Sequence, residues 1–169
     1  MGINFIEFTN GHLPLYFTWA SKPHVKNQWF REGYTPPEAI LDKLKGDSSA
    51  FPFIIMLDGK EIGFIQYYHL TENDKEIFGE EVESTVGFDI FIGAEDYIGK
   101  GYGTEVVRKF AEKLLAPAGV GRVITDPFTD NKGAIRCYEK AGFSFVKTAK
   151  DNCGTEIYIM EKVKGELLI

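Results

Sequence analysis

The sequence predicts an α+β fold, a mixed and mostly antiparallel central sheet flanked by helices, in a single domain spanning 1–169. Three observations predict it. The stretch "FPFIIMLDGKEIGFIQYYHL" sets two β-rich runs either side of Asp58-Gly59, a pair suited to the primed turns of a hairpin. In "TEVVRKFAEKLL", Val106, Val107, Phe110 and Leu114 share one helical face while Glu105, Arg108, Lys109, Glu112 and Lys113 take the other. A length of 169 residues with 44% hydrophobic and 26% charged residues fits one core and leaves no room for a second domain of ordinary size.

Each element follows in order. "INFIEF" alternates apolar and polar residues and reads as a first strand. "HLPLYFTWASKPHVKNQWF" carries aromatic and aliphatic residues in short helical pieces broken by Pro14 and Pro23. Thr35-Pro36-Pro37-Glu38 has the spelling of a capping box with proline at the first helical position, and Gly46 stops the helix after "EAILDKLK". After the hairpin, "STVGFDIFIG" reads as a strand, "RVITD" as another following the glycine-led helix, and "FSFVKTA" with "TEIYIMEKV" as a closing pair around Asp151 to Gly154. A further helix runs from about Asn131 to Ala141 and ends at Gly142. The closing "KGELLI" could pack on the sheet or cover a partner, and its composition does not choose.

Composition excludes several classes. No apolar run reaches the roughly 20 residues of a membrane span, and "MGINFIEFTN" has no basic region followed by an apolar block, so the expectation is a cytoplasmic protein. Ile6 stands where a myristoylation signal needs Ser or Thr. Cys137 and Cys153 make no disulfide framework, and with His12, His24 and His69 far apart no metal centre is expected. A formal charge of −6 repels nucleic acid and favours cationic ligands. Part of that surplus is local: Glu72, Asp74, Glu76, Glu80, Glu81 and Glu83 crowd between Thr71 and Ser84 with Lys75 the only base. This segment reads as a solvated loop, the rival being an electrostatic funnel for a polycation.

The stretch "DYIGKGYGT" places Gly99, Gly101 and Gly103 directly ahead of the amphipathic helix. A helix N-terminus presents unpaired N–H groups and the positive end of the dipole, and glycines let a phosphate approach the main chain. The spelling fails two phosphate loops. Gly101 follows Lys100 where a Walker loop needs Ser or Thr, and Val106 stands where a dinucleotide fingerprint needs its third glycine.

"IGKGYG" instead resembles the cofactor loop of the GNAT superfamily of N-acetyltransferases, written Gln/Arg-x-x-Gly-x-Gly/Ala, with Gly101 and Gly103 as the motif glycines and Ile98 where Gln or Arg is usual. "DPFTDNKGAIRCYEKAGF" resembles that family's next block, with Asn131 at a helix start and Tyr138 on the helix face. "YFTWASKPHVKNQWF", "FIIMLDGKEIGFIQYY", "GFDIFIGAEDYIGKGYGT" and "TDPFTDNKGAIRCYEKAGF" together look like the aminoglycoside 6'-N-acetyltransferases from about Leu13 to Tyr158. The acidic segment departs from those relatives in length and spelling.

The resemblance implies a GNAT-like sheet, acetyl-CoA as cofactor, a cationic small-molecule amine as partner, and acetyl transfer to the 6'-amine of an aminoglycoside. It puts the carboxylate that handles the amine proton on Asp89, the phenol that meets the leaving thiolate on Tyr138, and a substrate-amine contact on Asp126. The cofactor side comprises Phe91, Ile92, Ile98, Gly99, Lys100, Gly101, Tyr102, Gly103, Thr104, Asn131, Ala134, Arg136 and Tyr138. The acceptor side comprises Trp29, Phe30, Gln66, Glu81, Glu83, Asp89 and Asp126.

Elementary chemistry agrees with the carry-over. An amine must lose its proton before attacking a thioester, so a carboxylate beside it attracts the cation and relays the proton. In "GFDIFIG", Asp89 shares a face with Phe91, opposite Phe88, Ile90 and Ile92. The alternative for Asp89 is a local cap or ion pair; for Tyr138 it is a buried phenol satisfied elsewhere. Cys137 has no histidine near it and is turned from the Tyr138 face, so direct transfer in a ternary complex is expected. A polyamine or peptide acceptor, and a non-catalytic coenzyme A sensor, remain the competing functions.

Overall fold

The structure, a computed structural model, describes residues 1–46 and 49–165. Residues 166–169 of the closing "KGELLI" lie outside the described residues. The elements in chain order are β1 (Ile3–Glu7), α1 (Leu13–Ser21), α2 (Pro23–Trp29), α3 (Ile40–Leu44), β2 (Ala50–Leu57), β3 (Lys60–His69), α4 (Lys75–Phe78), β4 (Thr85–Ile92), α5 (Tyr102–Leu115), β5 (Arg122–Thr125), α6 (Lys132–Lys140), β6 (Ser144–Lys150) and β7 (Glu156–Val163). Seven strands form a sheet in the order β1-β2-β3-β4-β5-β7-β6, mostly antiparallel, with β4 and β5 parallel. The expected α+β architecture is the one observed.

The hairpin of β2 and β3 turns on Asp58 (φ 48°) and Gly59 (φ 79°). Two successive positive φ values are the backbone of a type I′ turn, which is why this dipeptide closes the strands. Residues 1–67 with 89–100 form one compact unit, and 68–88 with the described chain from 101 form a second.

The first unit is held by an aromatic cluster. Phe8, Tyr16, Trp19, Phe64 and Phe91 are buried with Val25, Ile40 and Ile54, and Trp29 and Phe30 pack against them. Ring centroids lie 5.0 Å apart for Trp29 and Phe91 and 5.1 Å for Tyr16 and Phe64, in edge-to-face arrangements favoured by the ring quadrupoles. Pro14 and Pro23 start helices here instead of interrupting them: each stands in the first two residues of its helix. The break falls on Lys22, extended at φ −71° and ψ 137°, because a residue before proline is pushed out of the α region.

The same rule overturns the capping box expected at Thr35. Pro36 precedes Pro37, must be extended, and itself becomes the N-cap (φ −76°, ψ 161°), so no side chain caps the start. A single 3-10 turn, Pro37–Ala39, then leads into the five residues of α3, and Gly46 ends the segment at φ 78°.

In the second unit α5 buries Val106, Val107, Phe110, Ala111 and Leu114, the predicted apolar face with one residue added. Arg108 pairs with Glu105 and donates from Nη2 to the Lys140 carbonyl at 3.0 Å, tying α5 to the end of α6. The acidic segment keeps Glu72, Glu76, Glu80, Glu81 and Glu83 exposed, as expected of a solvated face, but it is folded into short helical turns and anchored from beneath. Phe78 and Val82 are buried with Leu70, Ile124, Ile157 and Ile159. Asp74 accepts from the Thr71 N–H at 2.6 Å and hydroxyl at 2.9 Å, which starts a 3-10 turn running into α4. Buried Arg122 donates to the Phe78 carbonyl at 2.9 Å and to Glu161 at 2.6 Å, anchoring the far end of α4 to β5. The apolar residues spaced among the glutamates decide the outcome; charge alone pointed to solvent.

Phe78→Ala removes a side chain only 8% exposed and should destabilise the protein by about 3 kcal/mol or more, read as a lowered urea midpoint at unchanged m-value. A loss below about 0.5 kcal/mol would return the acidic segment to the surface.

Candidate active site

The predicted site residues fall into two groups, one in each unit. In the first unit, β4 outlasts its parallel partner: β5 ends at Thr125, paired no further than Ile124 with Gly87, while β4 continues to Ile92. Side chains from α2 hold that continuation. Trp29 Nε1 donates to the Ile90 carbonyl at 2.8 Å, and His24 Nε2 lies 2.9 Å from the Ile92 carbonyl, which requires the Nε2–H tautomer. Phe91 points into the aromatic cluster and is 6% exposed, so only its main chain faces outward from that core. Trp29 and Phe30 are half-buried, each with an edge against Phe91.

Asp89, on the Phe91 side of the strand as the alternation requires, is half-buried and is the end of a chain of two partners from distant segments. Gln66 of β3 donates from Nε2 to Asp89 Oδ2 at 2.9 Å, and Lys43 of α3 donates from Nζ to Gln66 Oε1 at 2.5 Å. An ammonium can only donate and a carboxylate can only accept, so one amide orientation satisfies both ends. The reversed amide would set like poles together twice, at about 1–3 kcal/mol for each polar group left unsatisfied. Burial pushes the Asp89 carboxyl pKa up, opposed by the Gln66 hydrogen bond and then by the Lys43 charge. Burial pulls the Lys43 ammonium pKa down, opposed by the Asp89 charge.

Lys43 escaped the sequence reading. The signal was there in its spacing: it stands three residues after Ile40, which is 1% exposed, so the inward side of α3 carries a cation.

In the second unit the glycine-led helix α5 begins at Gly101, whose φ of 84° suits glycine and whose absent Cβ leaves open space. No side chain caps the helix, and its first intrahelical bond runs from Glu105 N–H to the Gly101 carbonyl at 3.4 Å. The N–H groups of Gly103 and Thr104 therefore precede the ladder at the positive end of a 14-residue helix. Thr104 turns its hydroxyl to Cys137 Sγ at 3.7 Å, so Cys137 faces this helix start. Ahead of Gly101, Ile98, Gly99 and Lys100 are exposed.

Helix α6 begins at Asn131, whose Oδ1 accepts from the Ala134 N–H at 3.2 Å, so a residue expected on the cofactor side serves as N-cap. Tyr138, one turn beyond Ala134, is 7% exposed and packs edge-on to Phe88 with centroids 5.7 Å apart. Arg136 is exposed. Asp126 follows directly on β5 and is half-buried, while Glu81 and Glu83 flank buried Val82 and are exposed.

Residues 9–150 match the family model described as an acetyltransferase (GNAT) domain. The chain belongs to the GNAT acetyltransferase family. This GNAT acetyltransferase is 32% identical over 159 residues to the aminoglycoside N(6')-acetyltransferase type 1 of Klebsiella pneumoniae, covering 90% of this chain and 79% of that relative. It is similar to the crystal structure of the aminoglycoside acetyltransferase AAC(6')-Ib in complex with coenzyme A and kanamycin, with a TM-score of 0.82 at 28% identity over 96% of this chain and 95% of the other. The spermidine N-acetyltransferase of Vibrio cholerae, solved with coenzyme A and spermine, shares the fold at a TM-score of 0.73 and 15% identity, covering 96% and 95% of the two chains. None of the described helices is long and apolar enough to cross a membrane.

A GNAT acetyltransferase draws its acetyl group from acetyl-CoA. The uncapped start of α5, with an open glycine at its N-cap, fits the pyrophosphate of that cofactor.

Asp89→Asn tests the burial. Because the folded carboxyl pKa lies above the unfolded value, the folded state binds the proton more tightly, and stability is lost as pH rises through the folded pKa. The neutral variant escapes that loss. Its Tm should exceed the parent's at pH 7. The gap should close below pH ~4, where both states are protonated. An equal or lower Tm at pH 7 would contradict it.

Proposed function

We propose that this enzyme transfers acetyl from acetyl-CoA to the 6'-amine of an aminoglycoside, by direct attack in a ternary complex. The observation that carries the reading is the half-buried Asp89 carboxylate, whose Oδ2 accepts from Gln66 and whose Oδ1 is unclaimed by that amide. The similarity to aminoglycoside N(6')-acetyltransferases supports the acceptor class. Cys137 and Cys153, both thiols and not joined in a disulfide, support a cytoplasmic location, and the proposal treats 1–169 as one acetyltransferase domain.

In this reading Asp89 attracts the substrate ammonium and accepts its proton, so the neutral nitrogen can attack. When bound, acetyl-CoA supplies an activated thioester carbonyl. The N–H groups of Gly103 and Thr104 hold its pyrophosphate, with Ile98, Gly99, Lys100 and Tyr102 lining the approach. Main-chain groups of Phe91 and Ile92, with Asn131, Ala134 and Arg136, seat the remainder. Tyr138 donates a proton to the departing sulfur. Trp29 and Phe30 offer ring faces to the sugar, and Asp126 with Glu81 or Glu83 holds other amines. Orientation of two reactants can supply several of the roughly 7–11 kcal/mol such alignment makes available.

Free coenzyme A release, followed with a thiol reagent, tests the reading against kanamycin, tobramycin, spermidine and a short peptide. Saturable release with the two antibiotics at micromolar concentration is expected. Release with spermidine or peptide alone would keep the acetyltransferase and discard the acceptor. Asp89→Asn should lower kcat with kanamycin by about 10²-fold or more, while the acetyl-CoA KM stays within about twofold; unchanged turnover would remove Asp89 from the mechanism.

Gly101→Ala forces a side chain into a left-handed backbone at a cost of about 1–2 kcal/mol. The acetyl-CoA KM should rise about tenfold with the kanamycin KM little changed. An equal rise in both would mean that the cradle is not where the cofactor binds.

A further inference from the structure

We propose that Lys43 is a positioning residue for Asp89, acting through Gln66 to keep the carboxylate facing an N–H donor and never a carbonyl. The inference rests on the role given to Asp89 above. It is a property of this chain's own side chains: α3 supplies the ammonium, β3 the amide, β4 the carboxylate, in a line of two hydrogen bonds.

The argument is one of polarity. A primary amide presents one accepting end and one donating end. If the accepting end of Gln66 were open, a protonated Asp89 could donate to it after the amide flips, and the neutral acid would be as well satisfied as the carboxylate. With Lys43 on Oε1 at 2.5 Å, that arrangement would aim the amide NH2 at an ammonium. The O–H of a protonated Asp89 therefore finds no acceptor at Gln66, while the carboxylate keeps a charge-assisted bond from Nε2–H that the acid's carbonyl would accept more weakly. This matters because Asp89 is half-buried, and desolvation by itself favours the neutral form, which cannot take a proton from an amine. The groups facing Asp89 are few among the described residues. β3 presents neutral Gln66, α2 presents neutral Trp29 to the adjacent carbonyl of Ile90, and α3 presents Lys43, the charged group whose field reaches the carboxyl.

A role confined to stability would leave the titration of Asp89 untouched, so titration is the readout. Three proteins are compared: the parent, Lys43→Met, which removes donor and charge, and Lys43→Arg, which restores both. The Asp89 carboxyl carbon is titrated by 13C NMR in the ligand-free proteins, its signal assigned by its loss in Asp89→Asn. The pH profile of kcat/KM is measured with kanamycin and acetyl-CoA. In Lys43→Met the Asp89 midpoint should rise by about one pH unit, a roughly tenfold gain in proton affinity. The acid limb of kcat/KM should move the same way, because the base is then lost at a higher pH. Lys43→Arg should bring both back to within about 0.3 unit of the parent.

A midpoint unmoved in Lys43→Met, or moved but not restored by Lys43→Arg, overturns the proposal. The two readings fail separately: an active Asp89→Asn variant would sink the catalytic role of Asp89 while the NMR midpoints still judge Lys43. An inactive Asp89→Asn variant with unmoved midpoints would sink Lys43 alone.

Discussion

The hydrogen bond from Trp29 Nε1 to the carbonyl of Ile90 sets the register on which the acceptor side depends. A strand presents alternate side chains to opposite faces, so a slip of one residue in β4 would exchange Asp89 for Phe88 or Ile90 at the Gln66 amide. With the indole on Ile90 and the His24 imidazole on Ile92, the carbonyls two residues apart are held by α2. Phe91 is then committed to the aromatic cluster and Asp89 to Gln66. Packing and chemistry share one constraint, because the ring that carries the donor also fills the core beside Phe91.

A half-buried carboxylate works against the fold that holds it. Desolvation favours the neutral acid, and a base that is neutral at working pH has no function. The structure answers with a neutral amide in contact and a cation one residue further out. In the proposed mechanism a lysine placed directly on Asp89 would occupy the oxygen that an incoming ammonium needs; placed behind Gln66, it orients the donor and leaves Oδ1 unclaimed by either partner. The second unit uses main chain in place of side chains at the start of α5. The α5 start is uncapped, and Thr104, which has the hydroxyl to cap a helix, directs it to Cys137. Helix N–H groups left without a cap are what a phosphate requires.

Much of this was legible in the chain itself, because its causes are local. Asp58-Gly59 closes a hairpin since both residues reach positive φ, Gly142 and Asn131 bound α6 through local bonds, and the apolar face of α5 follows from its period. Local rules also failed where two of them met. Thr35 has the spelling of an N-cap, yet the tandem prolines move the helix start past it. The glutamates of 72–83 pointed to solvent, while Phe78 and Val82 among them pull the segment onto the hydrophobic cluster.

What the sequence by itself determined is the identity and order of the elements, the α+β class, the family, and the glycines that open α5, since periodicity and backbone freedom are encoded within a few residues. Tertiary structure alone decided the company Asp89 keeps. Lys43, Gln66 and Asp89 stand 23 residues apart at each step, on a helix and two strands, and no window along the chain contains a pair of them. Which ammonium faces which amide depends on how α3 lies over β3 and β4, and that is set by the packing of Ile40, Phe64 and Phe91 in one core.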